Sequence, residues 1–123
     1  MEHLPSGALM AHAIRLNPGQ DLVPAMKKAA ETAMKNSKTQ SAFILSVVGS
    51  VDKLTLRMAN ASKNEGDKST TTNEIKEWDE RFEVVSLVGT FCMGGKHLHM
   101  SASDGSGNVI GGHLIGENTF EVS

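Results

Sequence analysis

The stretch His97-Leu-His-Met-Ser-Ala-Ser-Asp-Gly-Ser-Gly-Asn-Val-Ile-Gly-Gly-His-Leu-Ile115 decides how this chain folds. Side chains along a strand alternate between two faces. His97, His99 and Ser101 therefore share one face, and Leu98, Met100 and Ala102 share the other. Asp104-Gly-Ser-Gly107 is a turn signal, and Val109 to Ile115 reads as the returning strand. Ile110 and Leu114 are its natural core residues, which puts His113 on the opposite face. Cross-strand partners share a face, so the apolar residues select the register. A loop from Asp104 to Asn108, closing Ser103 against Val109, sets His99 directly opposite His113, with His97 diagonal to both. A tight Gly105-Ser106 loop gives the wrong parity unless Gly111-Gly112 adds a bulge.

Three imidazoles that converge in this way are a candidate site for zinc or a similar ion. Each neutral ring gives one nitrogen, and the fourth position stays open to water or a ligand. The spacing is only moderately specific. Surface or interface histidines bonded to water and backbone satisfy it equally. His3 and His12 have no such context. Cys92, just past an apolar strand, reads as a buried, inert thiol. The glycines at 105, 107, 111, 112 and 116 match no phosphate-binding loop and read as turn and bulge residues. Glu117 is a candidate general base beside a metal, with nothing in the sequence to place it there.

Upstream, the clearest element is a helix from Leu22 to Ser37. Leu22, Met26, Ala29, Ala30 and Ala33 share one face, and Lys27, Lys28, Glu31 and Lys35 lie opposite. Asp21 stands at the N-cap position, after the turn Asn17-Pro18-Gly19. Ala11 to Leu16 reads as a short first strand. Ala42 to Val48, apolar on both faces, reads as a central strand. From Val51 the pattern alternates, with Leu54, Leu56 and Met58 against Lys53, Thr55 and Arg57, and the close spacing suggests a hairpin with the strand before. In Phe82 to Phe91, Val85 and Leu87 face one way and Val84 and Val88 the other. The sequence thus predicts an α+β fold: a mainly antiparallel sheet flanked by one main helix. Residues 1–10 read as a flexible N-terminus, 11–123 as one domain, and 60–74 as a solvated loop within it.

Composition narrows the function. The 123 residues are 39% apolar and 21% charged, with a net charge of −2 and a pI near 6.2. No basic field holds nucleic acid or an anionic membrane by charge alone. No apolar run approaches the ~20 residues that cross a bilayer. One cysteine permits no disulfide within the chain. The start lacks the pattern of a signal peptide. These features read as an intracellular, cytoplasmic protein, or a nuclear one in a eukaryote.

Several segments in order resemble the plant-and-prokaryote-conserved domain, abbreviated PPC or PCC. They are Arg15-Leu-Asn-Pro-Gly-Gln-Asp-Leu22, Gly49-Ser50, Arg81-Phe-Glu-Val-Val-Ser-Leu-Val-Gly-Thr90, His97-Leu-His-Met-Ser101, and Asp104 through Gly111-Gly-His-Leu114. The resemblance implies a sandwich of antiparallel sheet and helices assembled as a homotrimer. In plants the domain follows AT-hooks and mediates trimer formation and contacts with transcription factors through a segment like Gly-Arg-Phe-Glu-Ile-Leu. The matching stretch here is Glu80-Arg81-Phe82-Glu83-Val84-Val85, which nominates Arg81, Phe82, Glu83, Val84 and Val85 for oligomer or partner contact. This chain has no AT-hook and keeps all three histidines, so it looks like the stand-alone, prokaryotic-type branch, where a metal site at His97, His99 and His113 is expected. Family members continue past Gly-Gly-His-Leu with another strand, of which Thr119 to Val122 reads as a short version.

Three functions are open at this point. One is a trimeric binding module with a three-histidine zinc site and an unassigned ligand. Another is a transcription-associated interaction protein without direct DNA binding. The third is a metal-dependent, hydrolase-like enzyme, which would need a base that the sequence does not place.

Overall fold

The helical periodicity becomes helix α1, Leu22–Ser37, in a computed structural model that describes residues 3–59, 74–115 and 120–122. The first bond of the helix runs from the Ala25 N–H to the Asp21 carbonyl. Pro24 lies in the first turn, where its missing donor costs nothing. Lys38 adopts the left-handed conformation at φ 55°, and the Thr39 N–H returns to the Met34 carbonyl at 2.9 Å, which ends the helix. Leu22, Val23, Ala30 and Met34 are buried. Val23 and Met34 widen the face that the sequence had marked with Leu22, Met26 and the alanines.

Among the described residues seven strands follow: β1 (Ser41–Phe43), β2 (Ser50–Arg57), β3 (Ile75–Trp78), β4 (Phe82–Cys92), β5 (Gly95–Ser103), β6 (Val109–Leu114) and β7 (Phe120–Val122). The fold is α+β, mainly antiparallel, with one helix among the described residues. Residues 41–57 and 75–92 form one long antiparallel ribbon, from Ser41↔Cys92 through Ser50↔Glu83 to Arg57↔Ile75. β5 pairs with the other edge of β4, and β6 pairs with β5. β6 and β7 then return to the second edge of β2. The pairings β4–β5–β6–β2–β4 thus close on themselves. Inside lie Val51, Leu54, Leu56, Phe82, Leu87, Phe91, Leu98, Met100, Ala102 and Leu114, covered by the buried face of α1. Each large side chain buried in this way contributes about 1.5–3 kcal/mol over its exposed state.

Several readings of the sequence are corrected by these pairings. Residues 11–16 form no strand; they run as an irregular, largely exposed segment without a ladder partner. The apolar stretch 42–48 is not central and does not pair with β2. Its regular part, β1, is an edge strand on β4, and Phe43, Leu45 and Val48 are exposed. In β4 a register shift between Val84 and Ser86 resets the alternation. Leu87 and Val84 therefore face inward while Val85 and Val88 face out. Thr55, placed by alternation on the polar side of β2, is buried. Cys92 is exposed, not buried, since the outward phase of β4 ends on it. Gly111 and Gly112 make no bulge: the β5–β6 register runs through them unbroken. Their reason is space, since a Cβ on Gly112 would lie 3.0 Å from the Arg57 carbonyl. The loop predicted at 60–74 falls, apart from Glu74, outside the described residues.

The loop from Asp104 to Asn108 has the length that the parity argument requires, and it closes Ser103 against Val109. The Asp104 carboxylate accepts from the Ser106 and Asn108 backbone N–H groups, both at 2.9 Å, and from Asn108 Nδ2 at 3.3 Å. Gly107 supplies the positive φ of the turn, 86°. The bonds from Asn108 and Ser106 hold the Asp104 carboxyl below its ordinary range. A depressed carboxylate pKa stabilises the fold above the unfolded value, about 3.9, and that contribution is lost as pH falls through the folded value. Asp104→Ala should therefore lower Tm at pH 7, and the gap from wild type should narrow as the pH drops below about 4. A gap that stays constant or widens in acid contradicts this role for the carboxylate.

Gly89 makes the second prediction. It sits opposite Leu98 at φ 151°, and a Cβ there would overlap the His97 carbonyl oxygen and approach Leu98 Cα to 2.9 Å. Gly89→Ala should cost about 1–3 kcal/mol and lower Tm by several degrees. An unchanged Tm would show that β5 has room to move.

Candidate metal centre

β5 starts from a two-residue connection: Cys92 faces Gly95 across Met93-Gly94. Its inward residues Leu98, Met100 and Ala102 are all but fully buried, so its alternate residues point out. His97 and His99 accordingly stand exposed on the outer face. In β6, Leu114 is buried and its neighbour His113 is half-buried on the outer face. The register then does what the sequence predicts: His99 faces His113.

The three rings form a near-equilateral triangle. Their centroids lie 4.9 Å apart for His97–His99, 5.1 Å for His97–His113 and 5.2 Å for His99–His113. The Nε2 atoms of His97 and His99 are 2.9 Å apart, a hydrogen bond in which either ring can donate. One ring nitrogen from each residue lies within 4.8 Å of the others. Nitrogens bound at ~2.0–2.1 Å to one tetrahedral ion stand about 3.3–3.4 Å apart, so small ring rotations convert this triangle into a three-nitrogen ligand set. The donor chemistry fits zinc, which takes neutral imidazoles and leaves one position open. Burial, and then the positive charge of Arg57, hold His113 below the ordinary imidazole range. That favours the neutral ring with its lone pair free.

Arg57 is the residue that sequence reasoning missed. Alternation had placed it on the polar side of β2, but the neighbour of that side was unknown. The closure of the sheet makes Arg57 the cross-strand partner of His113. Val88 and Thr90 of β4 flank the same row, opposite His99 and His97. Glu117 lies outside the described residues. His12 sits apart, with Nε2 3.2 Å from Ser37 Oγ.

The stretch nominated for partner contact splits between two environments. Phe82 is buried edge-on to Trp78, with centroids 6.3 Å apart. Val84 is half-buried. Arg81, Glu83 and Val85 are exposed, and Arg81 Nη2 donates to Ser50 Oγ at 3.2 Å. No helix among the described residues is long and apolar enough to cross a membrane.

Comparison with known proteins supports the fold. The chain is 37% identical over 111 residues to the bifunctional protein GlmU of a Synechococcus strain; the match covers 90% of this chain but 16% of that protein. A hypothetical protein from Salmonella enterica superposes with a TM-score of 0.69 at 28% identity, over 90% of this chain and 70% of that one. A protein from Archaeoglobus fulgidus described as metal-containing superposes with a TM-score of 0.59 at 24% identity, over 89% of this chain and 77% of that one. Residues 5–123 match the Plants and Prokaryotes Conserved (PCC) domain, and the chain belongs to that family.

Proposed function

We propose that this chain is a binding module, working as a homotrimer in the cytoplasm, in which His97, His99 and His113 hold one zinc ion. The observation that carries the proposal is the triangle of ring nitrogens, all within 4.8 Å of one another on a rigid pair of strands. The description of the Archaeoglobus fulgidus protein as metal-containing supports it. Three neutral ligands leave the charge of the ion uncompensated and one coordination position open. The module's business is then to present that position to a ligand. The trimer rests on the family resemblance, supported by the exposed apolar side chains Val85, Val88 and Val109. In such an assembly Arg81, Glu83 and Val85 would meet a neighbouring subunit or another protein, while Phe82 and Val84 hold the stretch in place from within.

Native mass spectrometry of untagged protein tests both parts. The expected species is three times 13.1 kDa with one zinc per chain. The His97→Ala/His99→Ala double variant should keep the assembly and lose the zinc. Protonated imidazole cannot bind metal, so zinc should leave as the pH drops below about 6.5 and be gone near pH 4. Metal-free wild type after zinc addition overturns the metal centre, and a monomer overturns the trimer alone.

A further inference from the structure

Among the described residues, the permanent charges that act on this cluster are positive. Arg57 is the direct cross-strand partner of His113, and His113 is in turn the direct partner of His99. These three side chains therefore lie in one row on the outer face, with neighbouring Cβ atoms about 4.5–5.5 Å apart. Lys96 precedes His97 on β5. Among the described residues, the permanent charges that act on His113 are those of Arg57 and Lys96, both positive. The metal-ligand cluster contains three histidines and, among the described residues, no carboxylate. Among those residues no carboxylate lies within ion-pair distance of Arg57 either.

A cation held by three neutral imidazoles in such a setting is itself uncompensated. Repulsion between it and Arg57 disfavours the loaded site unless an anion enters between them. A guanidinium is a planar fork that pairs with carboxylate and phosphate oxygens in bidentate fashion. We propose that Arg57 makes the open position of this centre an oxyanion site: a small molecule bearing a carboxylate or phosphate places one oxygen at that position and another on the Arg57 guanidinium. The inference rests on the metal-centre reading and adds the ligand class to it. The oxyanion displaces water from the open position, and none of its own bonds changes. A neutral ligand forfeits the charge-assisted, bidentate pairing with Arg57.

Cobalt(II) serves as the spectroscopic probe, since its visible absorption reports a change of ligand at a four-coordinate site. The cobalt-loaded protein is titrated with acetate and, separately, with inorganic phosphate, while cobalt content is measured for every variant. Wild type should give a saturable spectral change with at least one of the two. Arg57→Gln should bind the same amount of cobalt and show at least tenfold weaker anion binding. Arg57→Lys should recover part of the loss, and Lys27→Gln, which removes the same charge from the exposed face of α1, should match wild type. Response to acetate alone assigns a carboxylate ligand; response to phosphate alone assigns a phosphate. Equal anion affinity in wild type and Arg57→Gln overturns the inference, as does cobalt that binds without any response to either anion. Wild type that takes up no cobalt fails the metal-centre reading itself, and the inference falls with it.

Discussion

Three small contacts hold the rest of this molecule in phase: Leu98, Met100 and Ala102 buried on one face of β5. A strand has a side-chain period of two, so burial of these residues forces His97 and His99 outward with no further instruction. A slip of one residue would bury two imidazoles and expose a leucine and a methionine. The cost of that exchange, several kcal/mol of lost burial together with unpaired polar rings, makes the histidine face a consequence of the core. The loop pinned by Asp104 and the close approach permitted by Gly89 guard the same register from the two sides of β5.

Closure of the sheet adds what a lone hairpin cannot supply. A hairpin of β5 and β6 would present three exposed rings on a two-stranded ribbon, which is marginal in water on its own. Return of β6 to β2 backs His113 with a second neighbour, half-buries it and brings a guanidinium beside it. The same contact that stiffens the site therefore also sets its electrostatics. Burial and the charge of Arg57 lower the His113 pKa, and the neutral imidazole is the form that binds a metal. Positioning by strands rather than by mobile loops keeps the three nitrogens close to a ligand geometry before any ion arrives.

The parts of this structure that could be read from the sequence are those governed by local periodicity. The helix bounds, Leu22 and Ser37, follow from a 3.6-residue pattern. The pairing of His99 with His113 follows from two apolar faces and a loop of fixed parity. Three features were not legible, each for a physical reason. The shift between Val84 and Ser86 is a single-residue irregularity that leaves no trace in a run of valines, yet it inverts Val85 and Leu87. The apolar stretch 42–48 has the composition of a central strand but lies at an edge, because alternation reveals faces and not the number of neighbours. Arg57 next to His113 depends on a pairing between residues 56 positions apart, which only the closed topology specifies. The order of the elements and the three-histidine cluster were read from the residues, and the family resemblance strengthened the expectation of a metal; Arg57 came only from the pairing.

The central claim is that the three imidazoles act together as one ligand set. X-ray absorption at the zinc edge of the loaded protein tests it most directly. The predicted shell has three imidazole nitrogens at ~2.0–2.1 Å, with the outer-ring scattering of three imidazoles, and a fourth oxygen ligand. A sulfur scatterer near ~2.3 Å would move the ion to the exposed Cys92, and a shell with fewer than three imidazoles would show that the triangle does not close on a metal.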